Sequence, residues 1–264
     1  MQAGLFGREV GEFCHWVEIT KIKMPYKEHP SCKTPENKDQ KVWRYMDFTK
    51  FVSILEDQAL FFSRLSTFTD PLEGFLTKPV VDEFRNIPDG LTAEEEERRR
   101  AISESNLRVL RMGRNLIFVS SWHMNDYESV AMWELYLKSG EGVAIQSTVK
   151  RMIDSFANTE NEVYIGQIDY VDYENDEIPW NNVLYLALHK RKSFEHEREV
   201  RAIVMSPENS PGKLIDVDLN ILIDRIFVAP NSPVWIHDLV KKAISRYGLS
   251  KKVVHSGLEQ SPMY

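Results

Sequence analysis

The sequence predicts an α+β fold, a single domain built on a mixed, bent and split β-sheet flanked by helices. Three observations carry that expectation. The 264 residues sit at the upper end of one domain, and 42% hydrophobic content with 13 Phe, 10 Tyr and 6 Trp suffices for one large core. Short strand-like runs and amphipathic helical runs follow one another from residue 42 onward. No repeat recurs at a fixed period.

Residues 1–41 read as an N-terminal extension and linker, because "KMPYKEHPSCKTPENKDQK" combines three prolines with many charges and no apolar period. The α+β domain spans 42–256. "VWRYM" (42–46) is its first strand. Asp47 caps a helix whose Phe48, Phe51, Val52 and Leu55 fall at i, i+3, i+4 and i+7. "ALFFSRL" (59–65) is the next strand. A polar excursion with a helical insertion near 80–112 follows, and its "EEEERRR" run reads as a solvated helical face. "NLIFVSSW" (115–122) returns as a strand. The helix after it puts Ser129, Met132, Trp133, Tyr136 and Leu137 on one face, so Trp133 is expected to be buried against the sheet.

"GVAIQS" is a strand and Thr148 caps the helix "VKRMIDSF". "EVYIGQIDYVDY" (162–173) reads as one strand and "NNVLYLALHKRKSF" (181–194) as a helix. Strands follow in "GKLIDVDL" and "ILIDRIFVAP". The last helix has Ser232 as cap, Pro233 at its first position and Gly248 beyond its end. "KKVVHSG" closes the sheet, and 257–264 form a frayed tail.

Charge and cysteine usage narrow the function classes. A net charge of -7 leaves no global footprint for nucleic acid. Cys14 and Cys32 fit neither a disulfide framework nor a metal knuckle and read as free thiols. No run of 18 apolar residues and no signal-peptide start is present, so the chain reads as cytoplasmic, with no membrane partner. His123 has no companion at ligand spacing and His196 is expected to point away from the neighbouring glutamates, so no metal is expected.

The densest chemistry lies in "KSFEHEREVRAIV" (192–204). On a strand its alternation would put Glu195, Glu197, Glu199 and Arg201 on one face, with Val200, Ala202 and Val204 toward the core. Crowded carboxylates raise at least one pKa, and Arg201 would offset that. The same ladder is also what an exposed sheet surface carries.

Taken together, "WRYMD", "ALFFSRLSTFTDPLEG", "SSWHMNDYESVAMWELYLKSGEGVAI" and "KSFEHEREVRAIV", from about Val42 to Val228, resemble the bacterial domain-of-unknown-function family 2971. Their order is similar to that of the ADP-ribosyltransferase superfamily. That resemblance implies an ADP-ribosyltransferase-like fold with Arg on the first strand, Ser on the second and Glu on a late strand: Arg44, Ser63 and Glu197. Ser66 and Thr67 are fallbacks for Ser63. It implies NAD as substrate, a protein or nucleic-acid acceptor, and a role as a toxin or phage-defence effector. Cleaving the nicotinamide bond develops oxocarbenium character that a carboxylate stabilises, the role given to Glu197. Arg44, beside Tyr45 and Trp43, would pair with the pyrophosphate.

An acceptor-activating glutamate two residues away would be Glu195 or Glu199, depending on register. Asp70 and Glu73 in "TDPLEG", Ser121 and Trp122 are expected at the pocket, the last two at its rim. Two alternatives stay open. One is a non-catalytic ligand-binding or sensor module; the other is a metal-dependent nuclease using Asp70, Glu73 and the glutamate-rich strand.

Overall fold

A computed structural model describes residues 25–137 and 140–259. The expected Cys14 thiol, the first 24 residues and the tail beyond 259 lie outside them. β1 (Lys41–Asp47) turns Val42 and Met46 to one side of the sheet and Trp43 and Tyr45 to the other. α1 (Phe48–Asp57) buries Phe51, Ile54 and Leu55 and stops at Gln58, which takes a left-handed conformation. β2 (Ala59–Arg64) follows. The expected insertion comprises α2 (Lys78–Arg85) and α3 (Ala93–Gly113). Thr92 and Glu95 close a reciprocal capping box on α3, and Glu94 to Glu96 favour the positive end of its dipole.

β3 (Ile117–Met124) leads into α4 (Val130–Tyr136), whose Met132 N–H donates to the Ser129 hydroxyl. β4 (Gly142–Thr148) leads into α5 (Val149–Ser155), capped by Thr148 as expected. Then come β5 (Val163–Gln167), β6 (Asp169–Val171), β7 (His189–Arg191), β8 (Glu199–Met205) and β9 (Gly212–Asp216). The chain closes with α6 (Leu219–Leu222), β10 (Arg225–Val228), α7 (Val234–Arg246) and β11 (Lys252–His255).

The main sheet runs β11-β10-β4-β1-β3-β2-β9, with β8 also on β3 and β5 on β8. Only β10 and β11 pair in parallel within it, so the sheet is mixed. β3 pairs with β8 from Ile117 to His123. Its opposite edge is shared: β1 takes Trp43 and Val42 at one end, β2 takes Ser63 and Arg64 at the other. β1 and β2 therefore diverge and leave a split beside the middle of β3. One face carries the main core, including Phe62, Phe118, Trp122, Val200 and Ile145, against α1, α5 and α7. The other carries an aromatic group of Trp43, Tyr45 and Trp133 under α4 and a second cluster around Leu65, Val119 and Ile203. Trp133 is buried, as its helical face required.

Several local expectations need correction. Residues 162–173 form two strands in two sheets, because Ile168 breaks the run and β6 pairs with β7 instead. Residues 183–187 and 192–197 are 3-10 turns around β7, not a helix. Of "ILIDRIFVAP" only 225–228 form a strand, β10; Ile221 and Leu222 end the short helix α6. The Ser232 hydroxyl donates to the Gly140 carbonyl rather than capping α7. The irregular segment 25–40 lies along β5, where Lys27 N–H donates to Val163 and Gln167 N–H to Lys33. Its Cys32 is a buried free thiol whose pKa burial pushes up to about 11.

Candidate functional site

The glutamate ladder is not one strand. Residues 192–197 coil into a 3-10 turn, and Arg198 at φ 42° reverses the chain before β8 begins at Glu199. Glu195 is exposed on that turn and does not join Glu197, Glu199 and Arg201, contrary to expectation. Alternation fails because Glu195 and Glu197 lie in a 3-10 turn of three residues per turn, in which i and i+2 do not share a side. What the reversal does achieve is to fold Glu197 back over Glu199.

Those two carboxylates belong to a buried charge cluster. Arg201 is 0% exposed; it donates to Glu199 at 2.7 Å, to the Ala187 carbonyl at 3.0 Å and to Glu73. Lys190 from β7 donates to Glu197, to Glu199 at 2.6 Å, and stands 3.8 Å from Glu73. Glu73 is held by a turn in which Gly74 takes φ 77°; a Cβ there would meet the side chains of Arg114 and Leu65 at 2.9 Å. Phe68 packs against the Arg201 guanidinium, and Phe194 against Lys190.

The titration behaviour of the pair splits. Burial, then the neighbouring Glu199, raises Glu197 to about 7 against the pull of Lys190. Burial also opposes charge on Glu199, but Arg201, the hydrogen bond with Glu197 and Lys190 outweigh it and hold Glu199 well below the ordinary carboxylate value. Burial likewise disfavours charge on Arg201 and Lys190, yet the carboxylates around them win and raise both. The Tyr136 hydroxyl at the end of α4 is pushed up to about 12 by burial and then by Glu197 and Glu199, although 43% of that residue is exposed.

Arg44 lies elsewhere, against the expectation that it lines one pocket with Glu197 and Ser63. Its strand partner is Ile145, so it leaves β1 on the main-core face, whereas Glu199 and Arg201 pair with His123 and Ser121 on the opposite face. Its guanidinium lies in the split, donating to the Ser120 hydroxyl and at 3.2 Å to the Phe61 carbonyl. Burial lowers its pKa to about 10, while the Tyr136 hydroxyl acts to raise it. Tyr136 is thus an electrostatic neighbour of both Arg44 and the carboxylate pair.

The other expected site residues divide. Ser63 stands on β2 opposite Val119, on the carboxylate face, and Ser121 is half-buried beside Arg201. Tyr45 is buried under α4, its hydroxyl accepting from Ser129 N–H. Trp122 is 1% exposed in the main core and does not form a rim; its indole N–H donates to Ser120. Asp70 is buried, bridging Leu72 N–H and Arg191 at 2.8 Å, which ties its loop to β7. The carboxylates assigned to a nuclease are therefore spent on Arg191, Lys190 and Arg201. Among the described residues no group of three or more His, Cys, Asp or Glu is placed to hold a metal ion.

Lys190 and Tyr136 were missed from sequence. A lysine closing the apolar run "VLYLALHK" was the available signal for the first; Tyr136 differs in no sequence feature from the rest of its helix. An apolar cavity of about 120 Å³ lies beside Gly74, Leu76, Leu107 and Leu186, and a wider groove lies beside Phe84 and Trp180. No described helix is long and apolar enough to cross a membrane.

No family model and no curated protein matches the chain. Among solved structures it is similar to Thermus sp. 2.9 DarT in complex with ADP-ribosylated ssDNA, at TM-score 0.40 and 10% identity over 84% of this chain and 96% of that one. The complex of the same protein with NAD+ gives TM-score 0.40 and 9% identity over 84% and 97%.

Proposed function

We propose that the chain is a member of family 2971 and an NAD-dependent ADP-ribosyltransferase-like enzyme, with NAD as substrate and a protein or nucleic acid as acceptor. The reading rests on one observation: among the described residues the three carboxylates Glu73, Glu197 and Glu199 ion-pair with two cations, Lys190 and Arg201, and Arg114 acts on Glu73 from beyond ion-pair range. Glu197, whose side chain is 12% exposed against 3% and 5% for the others, is the member left short. Excess buried charge is costly. A proton relieves it near neutrality, and a positive charge on a ligand relieves it equally.

NAD supplies such a charge in its nicotinamide ring. As the bond from ribose C1′ to the ring nitrogen breaks, its electron pair leaves with nicotinamide and positive charge develops on the ribose, where ionised Glu197 stabilises it. The acceptor atom then bonds to C1′ and gives its proton to a base. Arg44 commits two donors to Ser120 and Phe61 and keeps the rest of its fork for the pyrophosphate. A dinucleotide lying along Tyr136 would reach both groups.

Because the ionised carboxylate does the work, nicotinamide release should rise as pH passes through about 7. Purified protein incubated with NAD and cell lysate from pH 6 to 8 tests this, with Glu197→Gln expected to lose about two orders of magnitude. Unchanged release in the variant removes the assignment. NAD binding with no release under any lysate favours the sensor reading, to which the Lys190 pairing of Glu197 also points.

A further inference from the structure

The chemistry above leaves His123 unused. It stands on β3 opposite Glu199 and beside Trp43 of β1, and is 6% exposed. Its Nδ1 lies 2.6 Å from the Glu197 carbonyl oxygen. A carbonyl only accepts, so Nδ1 carries the hydrogen and donates it. In the neutral ring Nε2 is then a bare acceptor lone pair. That atom is buried and, among the described residues, has no hydrogen-bond partner. Leaving such an acceptor without a donor is costly, and native proteins rarely do so without a reason.

We propose that His123 Nε2 reads the ligand, accepting a hydrogen bond from an N–H or O–H of the molecule whose cationic centre lies against Glu197. The inference rests on the site reading given above. One ring then serves two ends. Its Nδ1–H holds the Glu197 peptide just before the left-handed residue Arg198, and its Nε2 checks for a donor on the incoming molecule. In NAD the donor is either the carboxamide N–H or the 2′-hydroxyl of the nicotinamide ribose.

Calorimetric titration of the full chain separates these cases. Three probes are needed: NAD, nicotinic acid adenine dinucleotide, which lacks the amide N–H, and NAD lacking the 2′-hydroxyl of the nicotinamide ribose. His123→Asn keeps an N–H near the Nδ1 position but has no atom at Nε2; His123→Gln returns an acceptor closer to it. His123→Asn should bind NAD about tenfold more weakly, with partial recovery in His123→Gln. The analogue missing the donor that His123 reads should bind the wild type about tenfold more weakly than NAD, and the two should bind His123→Asn alike.

Equal NAD affinity in wild type and His123→Asn, or undiminished discrimination of both analogues by the variant, overturns the assignment to His123 and leaves the carboxylate reading standing. Absence of NAD binding by the wild type overturns both. A measurement on the unmutated protein guards against misfolded variants: the Nε2 resonance of ¹⁵N-histidine-labelled protein should move upfield on NAD addition. A resonance that stays put while NAD binds also overturns the proposal, because the acceptor then has another partner.

Discussion

β3 and β8 form one antiparallel ladder with two unlike faces. On one, Phe118 and Trp122 oppose Val204 and Val200 in the main core; on the other, Ser121 and His123 oppose Arg201 and Glu199. Both faces are dry, and the same backbone serves both. The apolar face gains about 25 cal/mol for each Å² of surface removed from water. The charged face gains nothing until each partner is in place, because desolvating an ion costs several kcal/mol that only its counter-ions return. Burial alone therefore does not separate scaffold from site. A face that buries charge with one carboxylate left short of a cation departs from the rule the rest of the sheet obeys, and such departures concentrate where chemistry is done.

Breaking the pairing should show the largest effect. Arg201→Met leaves Glu73 and Glu199 buried with Lys190 as their remaining ion-pair partner among the described residues and is expected to cost about 4 kcal/mol in urea unfolding. The control on the opposite face is Val204→Ala, which loses two buried methyl groups and should cost about 2 kcal/mol. If the arginine variant proves no worse than the valine variant, the two faces are energetically alike and the contrast fails.

A smaller effect comes from pH. Glu197 titrates higher in the folded chain, at about 7, than its ordinary 4.5, so the folded state binds the proton more tightly. Its stabilising contribution is complete below about 4.5 and is lost as pH rises through 7. Glu199 is depressed, so its contribution is present above the ordinary value and lost in acid. Stability should therefore peak on the acid side of neutrality. Glu197→Gln should flatten the curve between pH 5 and 8 and be about 2 kcal/mol more stable than wild type at pH 8. Urea midpoints at four pH values in that range suffice, and a variant as steeply pH-dependent as the wild type assigns the titration to another group.

Much of the scaffold was legible because local signals and burial agreed. Thr148 caps the helix whose apolar face it precedes, Trp133 is buried on the face its spacing marked, and "VWRYM" and "GVAIQS" are strands where they were read. The cluster was half legible. Glu197, Glu199 and Arg201 were marked by composition, but their grouping depends on Arg198 in a left-handed conformation, which no glycine or asparagine announced. Lys190 was hidden because β7 is three residues long and flanked by 3-10 turns, too short for any period to register. Arg44 was placed on the right strand, while the face it leaves from follows only from pairing with β4, a contact 101 residues away in sequence at Ile145.

The least effect, and the sharpest test of where the site ends, is expected at Glu195. It sits two residues from Glu197 on the exposed side of the 3-10 turn, outside the buried cluster. Exposed substitutions of this kind stay within about 0.5 kcal/mol, so Glu195→Gln should leave the urea midpoint unchanged. Nicotinamide release should also be unchanged, since Glu197 keeps its partners Lys190 and Glu199. Acceptor labelling is the informative measurement. Glu199 is locked by Arg201 and Lys190 and cannot turn outward, which leaves Glu195 as the carboxylate able to meet an acceptor. Loss of labelling with release intact would give Glu195 that role. A fall in release itself would mean that the exposed turn and the buried cluster act as one unit, and the boundary drawn here between them would be in the wrong place.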